Sequence, residues 1–277
     1  MKTNKQKTGA EDFPEGRLFI CATPIGNLDD VTLRLLKTLE SVDLIIAEDT
    51  RTIRKILTKY NIKKPGDRII SYQDYADEKK IGFIIGKISK GNSAALVSES
   101  GLPVIQDPGY RIVKRCIESG IEVTVIPGPN AALSALVMSG IAPDSFVFVG
   151  FLPKTSSKRA EKITGISYLP FTMIFYESPK RISRLLKELL ERIGDRQACL
   201  AREITKVYEE VIRGSISVII DKIRDRNLKG EIVLVVEGYK KQLIEDFTEK
   251  DIEKSLDIVM KLDQTDNLGH LIKIIRC

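Results

Sequence analysis

Short apolar segments alternate with amphipathic segments along the first half of the 277-residue chain, and this alternation constrains the fold more than any other feature. In the amphipathic segments apolar residues recur at helical spacing, as at Ile81, Ile84 and Ile88. Nearly continuous apolar strands separated by such helices are typical of a parallel sheet that is covered on both faces. We therefore predict an α/β domain with a mostly parallel N-terminal sheet over residues 17–142. Its predicted strands span residues 18–22, 44–47, 69–72, 94–98 and 122–126.

The second half of the chain has a different pattern, in which strands outnumber helices. A long amphipathic helix is predicted over residues 180–193 and a shorter one over 216–223, whereas the stretch PKTSSKRAEK is assigned no element. We predict a mixed α+β C-terminal domain over residues 143–242. Residues 1–16 are predicted to be a disordered tail and residues 243–277 a short helical tail. The predicted strands span 146–151, 171–176, 198–204, 209–213 and 232–237.

Composition excludes several classes of protein. No apolar run approaches the ~18 residues of a membrane span, so no membrane partner is expected. The four cysteines are far apart in sequence, which fits a reducing cytoplasm, and His270 is the single histidine. Neither a metal site nor histidine catalysis is therefore expected. The sequence also lacks the P-loop and GxGxxG patterns, which leaves ligands held by backbone amides, carboxylates and apolar contact.

The chain has a formal net charge of +6, and its cations are unevenly distributed. Two basic clusters favour a polyanionic partner, because neutralisation of phosphates dominates nucleic-acid affinity. Either cluster alone fits a solvated helix face better, and it is the presence of both that favours such a partner. The clusters comprise Arg51, Arg54, Lys55, Lys59, Lys63 and Lys64, and Lys154, Lys158, Arg159 and Lys162.

Three loops rich in proline and glycine each follow a predicted strand of the first domain. They read TPIGN from Thr23, ESGLP from Glu99 and PGPNAA from Pro127. Since the carboxyl ends of parallel strands meet at one edge of a sheet, we expect these loops to be neighbours there. Glycine lets a ligand approach the backbone and proline stiffens the loop, so three such loops favour a pocket over simple turns. S-adenosylmethionine fits a pocket of this kind, because its cationic sulfonium needs no phosphate cradle.

Eight stretches, taken in order, carry a resemblance to a known family: ATPIGNLDDVTLR, AEDTR, DPGYR, IPGPNA, GFLP, FYESP, AREITKVYEE and RG. They resemble the tetrapyrrole-methylase fold family, and within it the branch that methylates small-subunit ribosomal RNA. The resemblance implies two domains with a cofactor cleft between them and a cytoplasmic homodimer. It also implies methyl transfer from S-adenosylmethionine to the 2′-hydroxyl of a cytidine in 16S ribosomal RNA. The basic clusters then have small-subunit ribosomal RNA as their partner.

The resemblance assigns roles to particular residues. Its cofactor contacts fall on Pro24, Gly26, Glu99, Ser100, Gly101, Pro103, Asn130, Ala131 and Tyr176. The residues nearer the RNA are Arg51, Glu177, Arg202 and Glu203, together with Glu48 and Asp49. Carboxylates and arginines at strand ends also fit purely structural ion pairs. A 2′-hydroxyl is a poor acid, so Glu48, Asp49 and Lys206 are named as candidate catalytic groups, with positioning of the methyl donor as the other route.

The chain departs from the family pattern in the second loop. That loop usually reads Ser-Asp-Ala-Gly-Thr-Pro, whereas here Glu99 is one methylene longer than Asp and Leu102 lacks the threonine hydroxyl. Gln106 stands where Ser is usual. An altered cofactor pocket is therefore expected. Two alternatives to ribosomal RNA methylation stay open: a non-catalytic RNA-binding or scaffold protein, and a methyltransferase for a tetrapyrrole or another small molecule.

Overall fold

Five short strands form a parallel sheet in the first half of the chain. The computed structural model describes residues 16–73 and 78–240, so both predicted tails, apart from residue 16, lie outside the described residues. The strands are β1 (Arg17–Cys21), β2 (Leu44–Ala47), β3 (Ile69–Ser71), β4 (Ala94–Val97) and β5 (Glu122–Ile126). They are arranged in the order β3-β2-β4-β1-β5, and all their pairings are parallel. The predicted N-terminal sheet is confirmed.

Four helices cover the two faces of this sheet: α1 (Leu33–Ser41), α2 (Thr50–Lys59), α3 (Glu78–Ser89) and α4 (Tyr110–Glu118). The neighbouring strand residues Leu18 and Phe19 belong to different apolar clusters, because alternate residues of a strand face opposite sides. Helices α1 and α2 pack in the Phe19 cluster, for example through Ile53. Helices α3 and α4 pack in the Leu18 cluster, for example through Ile84 and Ile112.

The second half contains a mixed sheet of five strands: β6 (Phe146–Phe151), β7 (Thr172–Glu177), β8 (Gln197–Arg202), β9 (Glu210–Ser215) and β10 (Ile232–Val236). Their order is β6-β7-β10-β8-β9, with β6 and β7 parallel and the other pairs antiparallel. One face is covered by α6 (Ser156–Ile166), α7 (Pro179–Ile193) and α8 (Ile216–Ile223), which contribute to a single apolar cluster. This sheet confirms the predicted mixed architecture.

Helix α5 (Ala131–Ser139) follows β5 of the parallel sheet but packs on the free face of the mixed sheet. Its Ala135 and Leu136 lie in one cluster with Ile174 and Val235 of the mixed sheet. The residues from 16 to 239 accordingly belong to one compact unit, and the domain boundaries at 142 and 242 stay predictions. Within the described ranges, every helix is too short or too polar to cross a bilayer.

Helix α6 was not predicted from the sequence, because its serines and cations dominate the segment PKTSSKRAEK. The structure buries Ile163 and Ile166 on its inner side. Arg159 is buried as well, and its Nε donates a hydrogen bond of 2.5 Å to Glu188 of α7. One member of the second basic cluster is therefore a structural residue, while Lys158 and Lys162 are exposed.

Candidate functional site

The three proline and glycine loops lie side by side, because β4, β1 and β5 are neighbours in the parallel sheet. The loop after β1 is tied directly to the loop after β4. The backbone N–H of Thr23 donates to the carbonyl of Gly101 at 2.8 Å, and that of Gly101 donates back to Thr23 at 3.1 Å. The third loop leads into α5, whose first turn is capped by the side chain of Asn130 through the N–H of Leu133 at 3.0 Å.

A cavity of about 280 Å³ opens beside these loops and is closed on its other side by the mixed sheet. This volume is near the lower end of the range for small-molecule sites. The parallel-sheet half contributes Ile25, Ser100, Gly101, Leu102, Ile105, Gln106 and Asp107, and the start of α5 contributes Asn130 and Ala131. The mixed-sheet half contributes Phe151, Tyr176, Glu177, Ser178, Pro179, Gly230, Glu231, Ile232 and Val233.

Aromatic rings form much of the apolar wall. The ring of Tyr176 packs edge-on against Phe151, with centroids 5.6 Å apart, and against Phe148 at 5.1 Å. Its phenol oxygen is hydrogen-bonded by the backbone N–H of Ala132 in α5. Burial raises the pKa of Tyr176, so the phenol stays neutral at physiological pH. The wall offers a flat apolar surface with one polar edge.

Glu177 places a buried carboxylate at the cavity and is 3% exposed. Its Oε1 accepts a hydrogen bond of 2.8 Å from the N–H of Ser178. Its Oε2 has no hydrogen-bond partner within residues 16–73 and 78–240, although a guanidinium nitrogen of Arg181 lies 3.2 Å away. A buried carboxylate oxygen in this situation favours a hydrogen-bond donor or a cationic group in the adjacent space.

Gln106 lies in a strained stretch of the cavity wall. Its φ is +65°, and Val104 two residues before it has φ +77°, a conformation that a β-branched residue rarely adopts. The Gln106 amide packs against Gly150 of β6, where an added Cβ would lie 2.6 Å from Nε2. Gln106 thus joins the wall of the parallel-sheet half to that of the mixed-sheet half.

Asp49 and Arg51 form an ion pair at the start of α2, outside the residues that line the cavity. Asp49 caps the helix through the N–H of Arg51 at 2.7 Å, and the two side chains approach to 2.5 Å. These hydrogen bonds lower the pKa of Asp49 to about 2. A carboxylate so acidic is a poor proton acceptor at neutral pH. The charge of Glu99 also helps to raise the pKa of Arg51, after the larger effect of Asp49.

Lys206 is held between two carboxylates in the turn that joins β8 to β9. Its Nζ donates to Glu203 Oε1 at 2.9 Å and to Glu231 Oε2 at 3.1 Å. Partial burial alone would lower its pKa, but the hydrogen bonds to Glu203 and Glu231 raise it. Lys206 is therefore protonated at neutral pH and is unsuited to act as a general base there.

The space beside Gly26 is filled by this turn of the protein. A Cβ added at Gly26 would lie 2.5 Å from Cγ of Lys206 and 2.8 Å from Oγ1 of Thr205. From the sequence we predicted that this glycine lets a ligand approach the backbone. The structure gives a different reason, namely the close packing of the loop after β1 against the β8–β9 turn.

The cavity gathers some of the residues named from the sequence. Those that line it are Ser100, Gly101, Asn130, Ala131, Tyr176 and Glu177. Those that do not are Pro24, Gly26, Glu48, Asp49, Arg51, Glu99, Pro103, Arg202, Glu203 and Lys206. Arg202 instead donates to Glu210 at 3.1 Å, as expected for a structural ion pair. The roles predicted for all these residues stay predictions.

Apart from Tyr176 and Glu177, sequence reasoning missed the part of the wall that comes from the mixed-sheet half. Phe151 is the last residue of β6, and its place in the GFLP stretch is the one signal that the sequence offered. The residues 230–233 gave no signal, because the start of β10 reads as an ordinary core strand. Ile25 lies between the two named residues Pro24 and Gly26 and is the member of that loop that reaches the cavity.

The model of one protein family, described as Tetrapyrrole (Corrin/Porphyrin) Methylases, matches residues 17–219, well over half of the chain. The chain belongs to the tetrapyrrole methylase family. This finding confirms the resemblance and the fold class predicted from the eight stretches.

Two relatives are similar over most of the chain. Ribosomal RNA small subunit methyltransferase I of Thermotoga maritima is 43% identical over 223 residues, which cover 80% of this chain and 99% of the relative. The protein of the same name from Bacillus subtilis is 42% identical over 231 residues, covering 83% of this chain and 78% of the relative. A solved cobalt precorrin-4 methyltransferase aligns with a TM-score of 0.60 over 80% of this chain and 94% of that one, at 16% identity. That tetrapyrrole methylase shares the fold alone.

Proposed function

We propose that this tetrapyrrole methylase family member transfers a methyl group from S-adenosylmethionine to the 2′-hydroxyl of a cytidine in 16S ribosomal RNA. The observation that carries the proposal is the 43% identity to ribosomal RNA small subunit methyltransferase I of Thermotoga maritima over 99% of that relative. The family model spans residues 17–219, which include the parallel sheet and four of the five strands of the mixed sheet.

The cavity suits S-adenosylmethionine in its chemistry. Tyr176, Phe151 and Ile232 offer an apolar surface for the adenine. The buried Glu177 carboxylate suits a cationic group, and S-adenosylmethionine carries two, its sulfonium and its ammonium. Ser100 and Asn130 add polar groups at the edge of the parallel sheet. When bound, the cofactor supplies an electrophilic methyl group.

The residues of the chain act mainly by positioning. Lys206 is protonated, and Asp49 has a pKa of about 2, so neither readily accepts the proton of a 2′-hydroxyl at neutral pH. Glu48 follows β2 at the same edge of the sheet and is the remaining candidate named from the sequence. Holding the hydroxyl oxygen in line with the methyl donor supplies a large rate acceleration without a strong base.

Exposed cations on α2 support an RNA partner. Arg51, Arg54 and Lys55 are exposed on the side of the helix opposite to its buried residue Ile56. At the end of the helix an open groove of about 420 Å³ is lined by cations that include Lys63. Phosphates along an RNA backbone match such a row of cations. A ribosomal RNA substrate also implies a cytoplasmic location.

An apolar face on α5 supports a homodimer. Val137 is 80% exposed, and Leu133 one turn earlier is exposed as well. Val125 is exposed on β5, the edge strand that precedes this helix. Exposed apolar residues at successive turns of one helix face favour a protein interface. Sedimentation of the wild-type protein as a dimer and of Val137→Glu as a monomer is expected, whereas a monomeric wild type would contradict the homodimer.

The test of the function is transfer of labelled methyl from S-adenosylmethionine to small ribosomal subunits that lack the modification. Label is expected in one cytidine, in its alkali-resistant 2′-O-methyl form. Subunits that already carry the methyl group are the matched control and should accept none. If calorimetry shows that the cofactor binds but no methyl is transferred to subunits, ribosomal RNA is not the substrate. If the cofactor does not bind, the non-catalytic RNA-binding alternative is favoured. Turnover with a tetrapyrrole instead of RNA would favour the alternative of a small-molecule methyltransferase.

A further inference from the structure

An exposed apolar pair projects from the β8–β9 turn, next to the candidate site. Val207 is 93% exposed and Tyr208 is 74% exposed. Large apolar side chains at this exposure on adjacent residues contribute nothing to the core of the described chain. Two such side chains on adjacent residues form a candidate contact surface.

The turn that carries this pair is rigidly fixed. The backbone N–H of Thr205 donates a hydrogen bond of 2.6 Å to Oε2 of Glu209. The backbone N–H of Lys206 donates to Glu203 at 2.9 Å, and that of Glu209 donates to Lys206 at 3.1 Å. Glu203 and Thr205 have φ of +52° and +67°, so the turn is held in a conformation that costs free energy.

The same turn is anchored at the cavity. Lys206 binds Glu231, which lines the cavity, and the N–H of Asn27 donates to Thr205 Oγ1 at 3.0 Å. The turn that carries Tyr208 is therefore fixed to the loop after β1 through Thr205 and to Glu231, just before β10, through Lys206. Binding to a flexible turn costs free energy, because the turn has to be ordered in each binding event. The β8–β9 turn is already ordered and avoids this cost.

The geometry points to Tyr208 as a stacking platform for an unpaired base of the RNA substrate, with Val207 extending its apolar surface. This inference rests on the proposed function. Proteins that recognise single-stranded RNA hold splayed bases on exposed aromatic rings. Two side chains fall far short of the roughly 800 Å² that each partner supplies to a stable protein interface. The occupant that matches this area is a nucleobase rather than a second protein.

A substrate base on Tyr208 would fix the register of the RNA relative to the cofactor cavity. The ring belongs to the mixed-sheet half, and the loop that contacts its turn belongs to the parallel-sheet half. Tyr208 is thus a positioning residue, and its loss should affect RNA binding while leaving cofactor binding unchanged.

The experiment compares Tyr208→Ala and Tyr208→Phe with Tyr168→Ala, a control tyrosine that is 77% exposed near the end of α6. For methyl transfer to unmodified small subunits, Tyr208→Ala should raise KM by about 10- to 100-fold, in line with the loss of one stacked base. Tyr208→Phe and Tyr168→Ala should stay within about 2-fold of wild type. Calorimetry with S-adenosylmethionine should give equal affinities for all four proteins.

A second measurement separates this inference from the proposed function. A short single-stranded RNA that contains pyrrolocytosine should lose fluorescence on binding the wild type and Tyr208→Phe, but not on binding Tyr208→Ala. Equal KM and equal quenching for Tyr208→Ala and wild type would overturn the stacking role, as would equal losses in the Ala and Phe variants. Quenching by the wild type without methyl transfer to subunits would overturn the proposed function and leave the stacking role supported.

Discussion

The backbone N–H of Asn27 donates a hydrogen bond of 3.0 Å to Oγ1 of Thr205, which ties the loop after β1 to the β8–β9 turn. Gly26 lies at the closest point of this contact, and no space exists there for a side chain. The candidate site is thus built on a contact between two halves of the chain that are distant in sequence.

Gly26→Ala should push the β8–β9 turn away from the loop after β1. The new methyl would collide with Lys206 and Thr205, and overpacking of this kind costs about 1–3 kcal/mol. A lower midpoint of thermal unfolding and weaker cofactor binding are expected, measured by calorimetry. Gly82→Ala in α3 is a suitable control, because an added Cβ there meets nothing within 4 Å and the residue lies outside the left-handed region. An unfolding midpoint equal to wild type for Gly26→Ala would contradict the packing argument.

Lys206→Gln should reduce activity without changing the shape of the pH–rate profile. The lysine neutralises Glu203 and Glu231, so its removal leaves two carboxylates to repel each other. Because hydrogen bonds to these carboxylates raise the pKa of Lys206, the fraction of deprotonated lysine is very small from pH 6 to pH 9. Rates measured across that range test this directly. Loss of a rising limb in the variant would show that Lys206 is the base after all.

Glu177→Gln should weaken S-adenosylmethionine binding by about 10-fold, equivalent to about 1.4 kcal/mol. The neutral amide keeps the shape of the side chain but removes the negative charge at the cavity. Calorimetric titration measures the change. Glu191→Gln, an exposed position on α7, removes the same charge far from the cavity wall and should bind like wild type. Equal affinities for both variants would show that Glu177 has no part in cofactor binding.

Arg159→Met should destabilise the protein by about 3–5 kcal/mol, the usual cost of leaving one member of a buried ion pair without its partner. The double variant Arg159→Met with Glu188→Leu should recover much of this loss, because no charge then stays buried. Chemical unfolding at neutral pH measures both values. Losses that simply add would contradict direct coupling between the two side chains.

The same ion pair predicts a dependence on pH. Hydrogen bonds from Arg159 lower the pKa of Glu188 to about 2, whereas the unfolded chain has a value of about 4.3. The stabilisation is present above the unfolded pKa and is lost as pH falls from about 4.5 towards 2. In Arg159→Met the free energy of unfolding should therefore fall less between pH 4.5 and pH 2 than in the wild type. Chemical unfolding at several pH values measures this difference.

The sequence was informative where each residue has one dominant role. Continuous apolar runs predicted β2, β4 and β10, because a strand buried on both faces tolerates little else. The segment of α6 was missed because its periodicity depends on Arg159, a cation that becomes internal only when Glu188 of another helix meets it. Residue identity alone does not reveal a partner supplied by tertiary structure.

The site was predicted more fully on its parallel-sheet side than on its mixed-sheet side, where only Tyr176 and Glu177 were named. The glycines and prolines after β1, β4 and β5 indicate the edge of the parallel sheet. The three loops are neighbours there because their strands are neighbours in the sheet. The opposing wall comes from β6, β7 and the start of β10, and its position depends on how the two sheets meet. Gly26 illustrates the limit, since the atoms that exclude a side chain there lie about 180 residues away in sequence, in the turn that follows β8.

Helix α5 has a consequence for how the chain acquires its structure. It is continuous with β5 of the parallel sheet, yet Ala132, Ala135 and Leu136 are buried against the mixed sheet. A fragment ending after α5 would expose those residues to water, and a fragment beginning after it would expose one face of the mixed sheet. Each half therefore lacks a piece that only the other provides. The helix links the two sheets, which should therefore unfold together in one cooperative transition.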